Sequence, residues 1–390
     1  MRASTFRWRG RHRAALALVL GATLLATVGC GKTTTNPNPT APQPAEVSDA
    51  LTALVRSGIP GAQAVITGSD GRHTVTAGAG DLATGAPYPE GAHIRIGSVT
   101  KTFVATVVLQ LVAEGAVDLD APIERYLPGV VQGNGNDGTR VTVHELLQHT
   151  SGLPDFAPED VSQKLPQQLD QTSDGKAYRD FTPADLVRIA MTMPPQFEPG
   201  AQFRYTNTNY VLLDMLIEHV TGHPLAAEIG TRILDPLALR DTYFPLPGDT
   251  ALRDPHPLGY HKVDGNWVDV TGMEAAWAGA AGAMISTGAD LNHFFTALLS
   301  GKLLPPAQLT QMKQTLPMTA EMNYGLGLIR FQMSCGKESR DVWGHAGGIP
   351  GFSTVTFITP QGAAVTMSVN TEDPNPGFSN AILAISCAVA

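Results

Sequence analysis

Strand signals stand at the two ends of this chain, and helical patterns fill the middle. The strand-like runs Ala62–Thr67 and His73–Ala77 flank Gly68-Ser69-Asp70-Gly71, a hairpin signal. Phe352–Ile358 and Ala363–Val369 repeat the arrangement around Thr359-Pro360-Gln361-Gly362. Between them, Thr142-Val143-His144-Glu145 reads as a capping box opening a short helix. The pattern predicts an α+β fold of the α/β sandwich type. An antiparallel sheet is built from both chain ends and flanked by helices, with a mainly helical region inserted at roughly residues 100–310. A pocket is expected at the seam between the two, where pockets are common.

Three short motifs fall in one order along this frame: Ser98-Val99-Thr100-Lys101, Tyr205-Thr206-Asn207 and His345-Ala346-Gly347. Ser-x-x-Lys alone is weak, since Ser173–Lys176 and Ser334–Lys337 also match it. Context separates the copies. Ser98 opens the apolar run Phe103, Val104, Val107, Val108, Leu111, Val112, closed by Gly115, which reads as a buried helix. Ser98 would lie at its N-terminus, where negative charge is favoured, with Lys101 one turn on and facing the same way. A serine hydroxyl needs a neighbouring base, and a lysine serves only if burial or nearby charge lowers its pKa. The plain alternatives are an N-cap serine and a snorkelling lysine.

Tyr205-Thr206-Asn207 is the one Tyr-x-Asn in the chain, between the turn Glu198-Pro199-Gly200 and an apolar helix from Tyr210. In an extended segment Tyr205 and Asn207 would point to one side. A phenol can shuttle a proton, and an amide can hold a carbonyl or the lysine. Otherwise Asn207 or Asn209 is an N-cap and Tyr205 is packing. His345 stands in a glycine-rich stretch, Gly344 to Gly351, between β-branched runs. Glycines there let a backbone approach a ligand. The alternative is a satisfied strand-end histidine beside a plain turn.

With these motifs in this order, the chain resembles the serine hydrolases related to class C β-lactamases and secreted DD-carboxypeptidases. Ile96–Phe103 is similar to the family's nucleophile segment, Leu146–Leu153 to its second landmark, and Tyr324–Leu328 to the strand before its third motif. The resemblance runs from about Val47 to the C-terminus. It implies that Ser98 forms an acyl-enzyme, that Lys101 and Tyr205 share the proton transfers, and that Asn207 orients the substrate. It also implies an oxyanion hole from the backbone N–H groups of Ser98 and Gly348. His345 stands where many relatives carry lysine. The chain departs from the family where hydroxyl residues commonly help bind a substrate carboxylate: here stand Ala346 and Gly348. Arg330 lies about one residue out of register with the arginine of those relatives, and on a strand that turns a side chain over. His345 is then the nearest candidate for positive charge. Substrates bearing a carboxylate are expected to gain on neutral esters as pH falls.

The leading expectation is an exported D-Ala-D-Ala carboxypeptidase. An esterase for small acyl esters comes next, then a β-lactamase. A penicillin-binding sensor or scaffold would be marked by an adduct that never turns over. The implied partners are a small peptide or ester, peptidoglycan and β-lactams, with no cofactor or metal and a monomeric protein. No Gly-x-Ser-x-Gly elbow is present, which disfavours an α/β-hydrolase. His219 and His223 lack the glutamate a zinc motif needs.

Residues 1–30 read as a signal peptide. Arg2, Arg7, Arg9, Arg11 and Arg13 precede the apolar stretch 14–28, which is short for a membrane span. Thr27-Val28-Gly29-Cys30 resembles a lipobox, so Cys30 is a lipidation candidate and the only membrane attachment expected. Residues 31–46, rich in Thr, Asn and Pro, read as a flexible tether before one domain at 47–390. Without the leader the formal charge moves from −9 to −14, against nucleic-acid binding. The other cysteines, Cys335 and Cys387, are expected to pair in an exported protein; two buried thiols are the alternative.

Overall fold

The computed structural model describes residues 44–156, 182–246, 248–372 and 375–389. The leader with Cys30, the tether as far as residue 43 and the Ser173–Lys176 copy lie outside them. Helix α1 (Pro44–Arg56) already begins within the last residues assigned to the tether. Strands β1 (Gly61–Gly68) and β2 (Gly71–Gly78) form the expected hairpin, with Gly68 opposite Gly71. The helical region follows: α2 (Thr100–Ala113), α3 (Val143–Gln148), α4 (Pro183–Ala190), α5 (Thr208–Thr221), α6 (Gly279–Gly282), α7 (Gly288–Leu299) and α8 (Pro306–Met312). The chain then returns to the sheet through β3 (Leu316–Pro317), β4 (Met322–Tyr324), β5 (Ile329–Cys335), β6 (Glu338–Ile349), β7 (Phe352–Ile358) and β8 (Ala364–Val369), ending in α9 (Pro376–Ala388).

Among the described residues the sheet has eight strands in the order β2-β1-β8-β7-β6-β5-β4-β3, and neighbouring strands run antiparallel. The first hairpin thus meets the last strand through Ala62 opposite Val369. One apolar core joins α1 and α9 to one sheet face through Leu51, Ala64, Phe357, Met367 and Ile385. The other joins α2, α5 and α7 around Phe103, Leu213 and Phe295. The face toward α7 is partly polar, and Asn292 there is satisfied: it donates to the Val65 and Ala364 carbonyls and accepts from Thr366. Buried polar groups are tolerated when paired this way.

Helix α2 is buried on nearly all sides, as a central helix must be, and ends at Gly115, whose φ of 75° suits glycine. Thr142 and Glu145 form the full capping box of α3. One expectation is corrected. Within the stretch Tyr324–Leu328 only Tyr324 lies in a strand, as the last residue of β4; Gly325–Leu328 is the turn between β4 and β5. There Gly327, at φ 68°, lies so close to α2 that a Cβ would sit 2.4 Å from the Ala105 methyl. The pairing of β5 with β6 ends at Ile329 opposite Gly344, so among the described residues β6 from His345 onward has no paired strand on that side.

A disulfide joins Cys335 on β5 to Cys387 on α9, 52 residues apart. Closing a loop of this length restricts the unfolded chain and contributes roughly 2–4 kcal/mol. The double variant Cys335→Ser, Cys387→Ser should lose that much in urea unfolding under non-reducing conditions. Wild-type stability in the variant would show that α9 is held by its apolar face alone.

Candidate active site

Ser98 lies in the single 3-10 turn Gly97–Val99 just before α2, and caps neither it nor the helix. It is partly open to solvent while its neighbours Gly97, Val99 and Thr100 are buried. Lys101 is fully buried and does not snorkel. Its Nζ donates to Ser98 Oγ at 3.1 Å, to Asn207 Oδ1 at 2.9 Å and to the Ala281 carbonyl on α6 at 2.6 Å. Burial pushes its pKa down to about 7, against the opposing pull of Asp155. A lysine in that state can accept the serine proton at neutral pH.

Tyr205 closes the other side of the lysine, with Nζ 4.8 Å from its ring centroid. Burial holds its phenol well above the usual range, and the nearby Ser98 hydroxyl offsets this only in part. The Tyr205 hydroxyl has no hydrogen-bond partner within the described structure. A buried phenol aimed at the serine is poised to exchange a proton with a reacting group. Asn207 occupies the first residue before α5 in helical, not extended, conformation, and its side chain caps nothing. It is oriented instead by Asp155, whose Oδ2 accepts from the Asn207 backbone N–H at 2.9 Å and side-chain Nδ2 at 3.2 Å. That fixes which amide atom faces Lys101.

His345 does not fit the charge expected of it. Its Nδ1 lies 2.6 Å from the Ala346 carbonyl, an obligate acceptor, so Nδ1 carries the hydrogen. Nε2 then accepts from the Tyr324 hydroxyl at 3.1 Å. Burial pushes the pKa down to about 3, the Ala346 carbonyl opposes this, and Lys101 lowers it further. His345 is neutral throughout the working range, which removes the expected gain of carboxylate-bearing substrates at lower pH. Arg330 is committed elsewhere, to Asp341 at 3.3 Å. Ser334 is an exposed strand residue of β5, which separates that motif copy from the site.

The third motif touches the first through backbone. A Cβ on Gly347 would lie 2.1 Å from the Ile96 carbonyl and 2.7 Å from Ser98 N; one on Gly97, at φ 50°, would lie 2.7 Å from the Gly348 carbonyl. Only glycine permits this approach. It brings the Ser98 and Gly348 backbones together, the arrangement an oxyanion hole needs.

Sequence reasoning gave no role to Asp155 or His149, although both lie in or beside the landmark Leu146–Leu153. His149 is a buried residue in left-handed conformation at the end of α3. Its Nδ1 accepts from the Thr206 backbone N–H at 3.3 Å, and its ring packs at a tilt against Tyr205 with centroids 4.1 Å apart. Burial, then Lys101 and His345, hold it neutral. The Ala281 carbonyl could not have been found, since a backbone acceptor leaves no mark in sequence. Among the described residues no cluster of three or more His, Cys, Asp or Glu could hold a metal ion.

This arrangement, a partly open serine backed by a buried lysine and a buried tyrosine on a sheet of this topology, defines a serine hydrolase of the β-lactamase fold. Comparison with known proteins agrees. The Beta-lactamase family profile matches residues 47–390, and the chain belongs to that family. A D-stereospecific amidohydrolase from Streptomyces sp. superposes with a TM-score of 0.80 at 40% identity, covering 90% of this chain and 100% of its own. The D-amino acid amidase of Ochrobactrum anthropi SV3 superposes at 0.75 with 26% identity, covering 87% and 97%. Esterase EstB of Burkholderia gladioli is 38% identical over 172 residues, 43% of this chain. That match spans 42% of EstB, and the match to the Staphylococcus aureus protein flp spans 61% of flp.

Two outcomes follow from the geometry. Gly347→Ala should force β6 away from the Ser98 turn and lower kcat/KM about a hundredfold or more while the protein remains folded. A near-normal rate would show that this contact does not shape the site. The second outcome concerns pH. Lys101 is protonated below about pH 7, so kcat/KM should rise with pH through that value. Between about pH 7 and 10.4 the unfolded chain holds a proton on this lysine that the folded chain does not, so stability should rise with pH in that window. Lys101→Met should remove both trends. Their persistence in that variant would place the titration on another group.

Proposed function

We propose that Ser98 attacks the carbonyl of an amide or ester of a small D-configured substrate that lacks a free carboxylate beside the reacting bond. Lys101 takes the serine proton as the Oγ–C bond forms. The Ser98 and Gly348 N–H groups hold the oxyanion, and Tyr205 passes a proton to the departing amine or alcohol. Water then releases the acid from Ser98 with the same groups in reverse. The observation that carries this reading is the triple hydrogen bonding of one buried, easily deprotonated lysine to Ser98, Asn207 and Ala281.

The substrate class is supported from two sides. Ala346 and Gly348 offer no hydroxyl, His345 is neutral and Arg330 is paired with Asp341, so none of them gives a carboxylate a charged partner. The similar proteins include an esterase, a D-amino acid amidase and a D-stereospecific amidohydrolase. The D-Ala-D-Ala carboxypeptidase reading ranks second, because its substrate ends in the carboxylate that this site has little to hold. Export with lipid attachment at Cys30 is proposed as well, supported by the leader sequence and by a disulfide of the kind found in oxidising compartments.

The test is kcat/KM for D-phenylalaninamide, p-nitrophenyl butyrate, a D-Ala-D-Ala peptide and a chromogenic cephalosporin. The amide and the ester should exceed the peptide by about tenfold or more, the scale of one missing charge-assisted hydrogen bond. Ser98→Ala should abolish turnover and fluorophosphonate labelling, while Ser334→Ala keeps both. A strong preference for the peptide would restore the carboxypeptidase reading, and labelling that survived in Ser98→Ala would overturn the mechanism.

A further inference from the structure

Groups from several elements face Lys101. The turn before α2 brings the Ser98 hydroxyl, and α6 brings the Ala281 carbonyl. The entry to α5 brings Asn207 and the rings of Tyr205 and Tyr210, whose centroids lie 4.8 and 5.5 Å from Nζ. His149 at the end of α3 and His345 on β6 lie near enough for the lysine's charge to act on them, and burial keeps both neutral. Among the described residues Asp155 is the carboxylate whose charge acts on Lys101.

Asp155 reaches the lysine through Asn207. Its Oδ2 accepts from the backbone N–H and from the side-chain Nδ2 of Asn207, at 2.9 and 3.2 Å. An ionised carboxylate only accepts, so it takes the NH2 end of the amide and leaves Oδ1 for Lys101, 2.9 Å away. With a neutral amide at position 155 either end of Asn207 could pair, and a turned Asn207 would aim N–H groups at an ammonium. The carboxylate thus acts twice in one direction. It holds an acceptor against Nζ, and its charge favours the protonated lysine. Burial alone would leave a weaker base, whereas proton transfer is most efficient when the base titrates near the working pH.

We propose that Asp155 is a positioning residue that fixes the Asn207 amide and sets the strength of Lys101 as a base, so that it decides the pH at which Ser98 becomes reactive. This deepens the Ser98–Lys101 mechanism above and rests on it, and it holds for an amide or an ester substrate alike. Asp155 is assigned no contact with the reacting atoms.

The test follows the rate at which a fluorophosphonate labels Ser98 as a function of pH, a readout that needs the base but no particular substrate. In wild type the rate should rise through about pH 7. In Asp155→Asn, which keeps the shape and removes the charge, the midpoint should fall by about one pH unit and the plateau above it should be lower. The longer pair Asp155→Glu and Asp155→Gln repeats the comparison, and the midpoint of Asp155→Glu should lie above that of Asp155→Gln. Asp214 on α5, pushed up to about 7 by burial and then by Glu218, titrates in the same range, and Asp214→Asn should leave the midpoint in place. Folding of each variant is checked by stoichiometric labelling at long times. A midpoint that stays or rises in Asp155→Asn overturns the proposal. Equal shifts in Asp155→Asn and Asp155→Glu overturn it too, by marking a purely structural role, and so does an equal shift in Asp214→Asn. If the pH rise persists in Lys101→Met, the lysine mechanism fails and the proposal with it. If it vanishes there while the Asp155 variants keep the wild-type midpoint, the proposal alone fails.

Discussion

The site depends on keeping one lysine out of water. Lys101 has three acceptors for its three hydrogens, and they come from separate parts of the chain: Ser98 one turn earlier, Asn207 before α5 and the Ala281 carbonyl on α6. Burying an amine without partners would be prohibitive, and burying it charged would cost more still. The structure therefore has to bring α2, α5 and α6 together in one arrangement before the lysine can be accommodated. The same packing that satisfies Lys101 lowers its pKa and sets its distance to the serine. Fold and reactivity are one constraint here.

The glycine contact between β6 and the Ser98 turn is the complementary constraint. The lysine network places the nucleophile from the helical side, whereas Gly97 and Gly347 place it from the sheet side. Because β5 leaves β6 at Gly344, the edge from His345 to Ile349 is open where it passes the serine. A substrate can therefore meet backbone N–H groups of the strand and the hydroxyl of the helix turn at the same point. This is why the seam between the two regions, and not the interior of either, carries the reactive groups.

Much of this arrangement was legible in the sequence, and the failures have a common cause. The end hairpins, the buried α2, the capping box at Thr142 and the three motifs are local patterns, and local patterns are written in adjacent residues. What could not be read depends on partners far away in the chain. Asn207 was expected on an extended segment; it sits in helical conformation and still reaches Lys101, 106 residues away, because Asp155 orients its amide. His345 was given the charge of a free imidazole, but its environment is set by Tyr324 and by burial beneath the sheet edge. The stretch Tyr324–Leu328, with Gly325 and Gly327, was expected to be a strand through its resemblance to the segment before the family's third motif, and only Tyr324 lies in one. In the structure those glycines serve a turn pressed against Ala105.

The neutrality of His345 and His149 bears on how the lysine is activated. Two causes can lower the pKa of an amine: loss of solvent and nearby positive charge. Neither histidine supplies positive charge, because both are held neutral by burial, with Lys101 itself acting on each in the same direction. Asp155, the charged neighbour, works the other way and raises the lysine. Desolvation is therefore left as the dominant cause, and it comes from the apolar sides of α2 and the rings of Tyr205 and Tyr210 stacked near Nζ. The resemblance to relatives with a lysine at the third motif suggests that they can add a second cation to this balance. In this chain the same tuning is carried by packing, which leaves the third motif without a permanent positive charge.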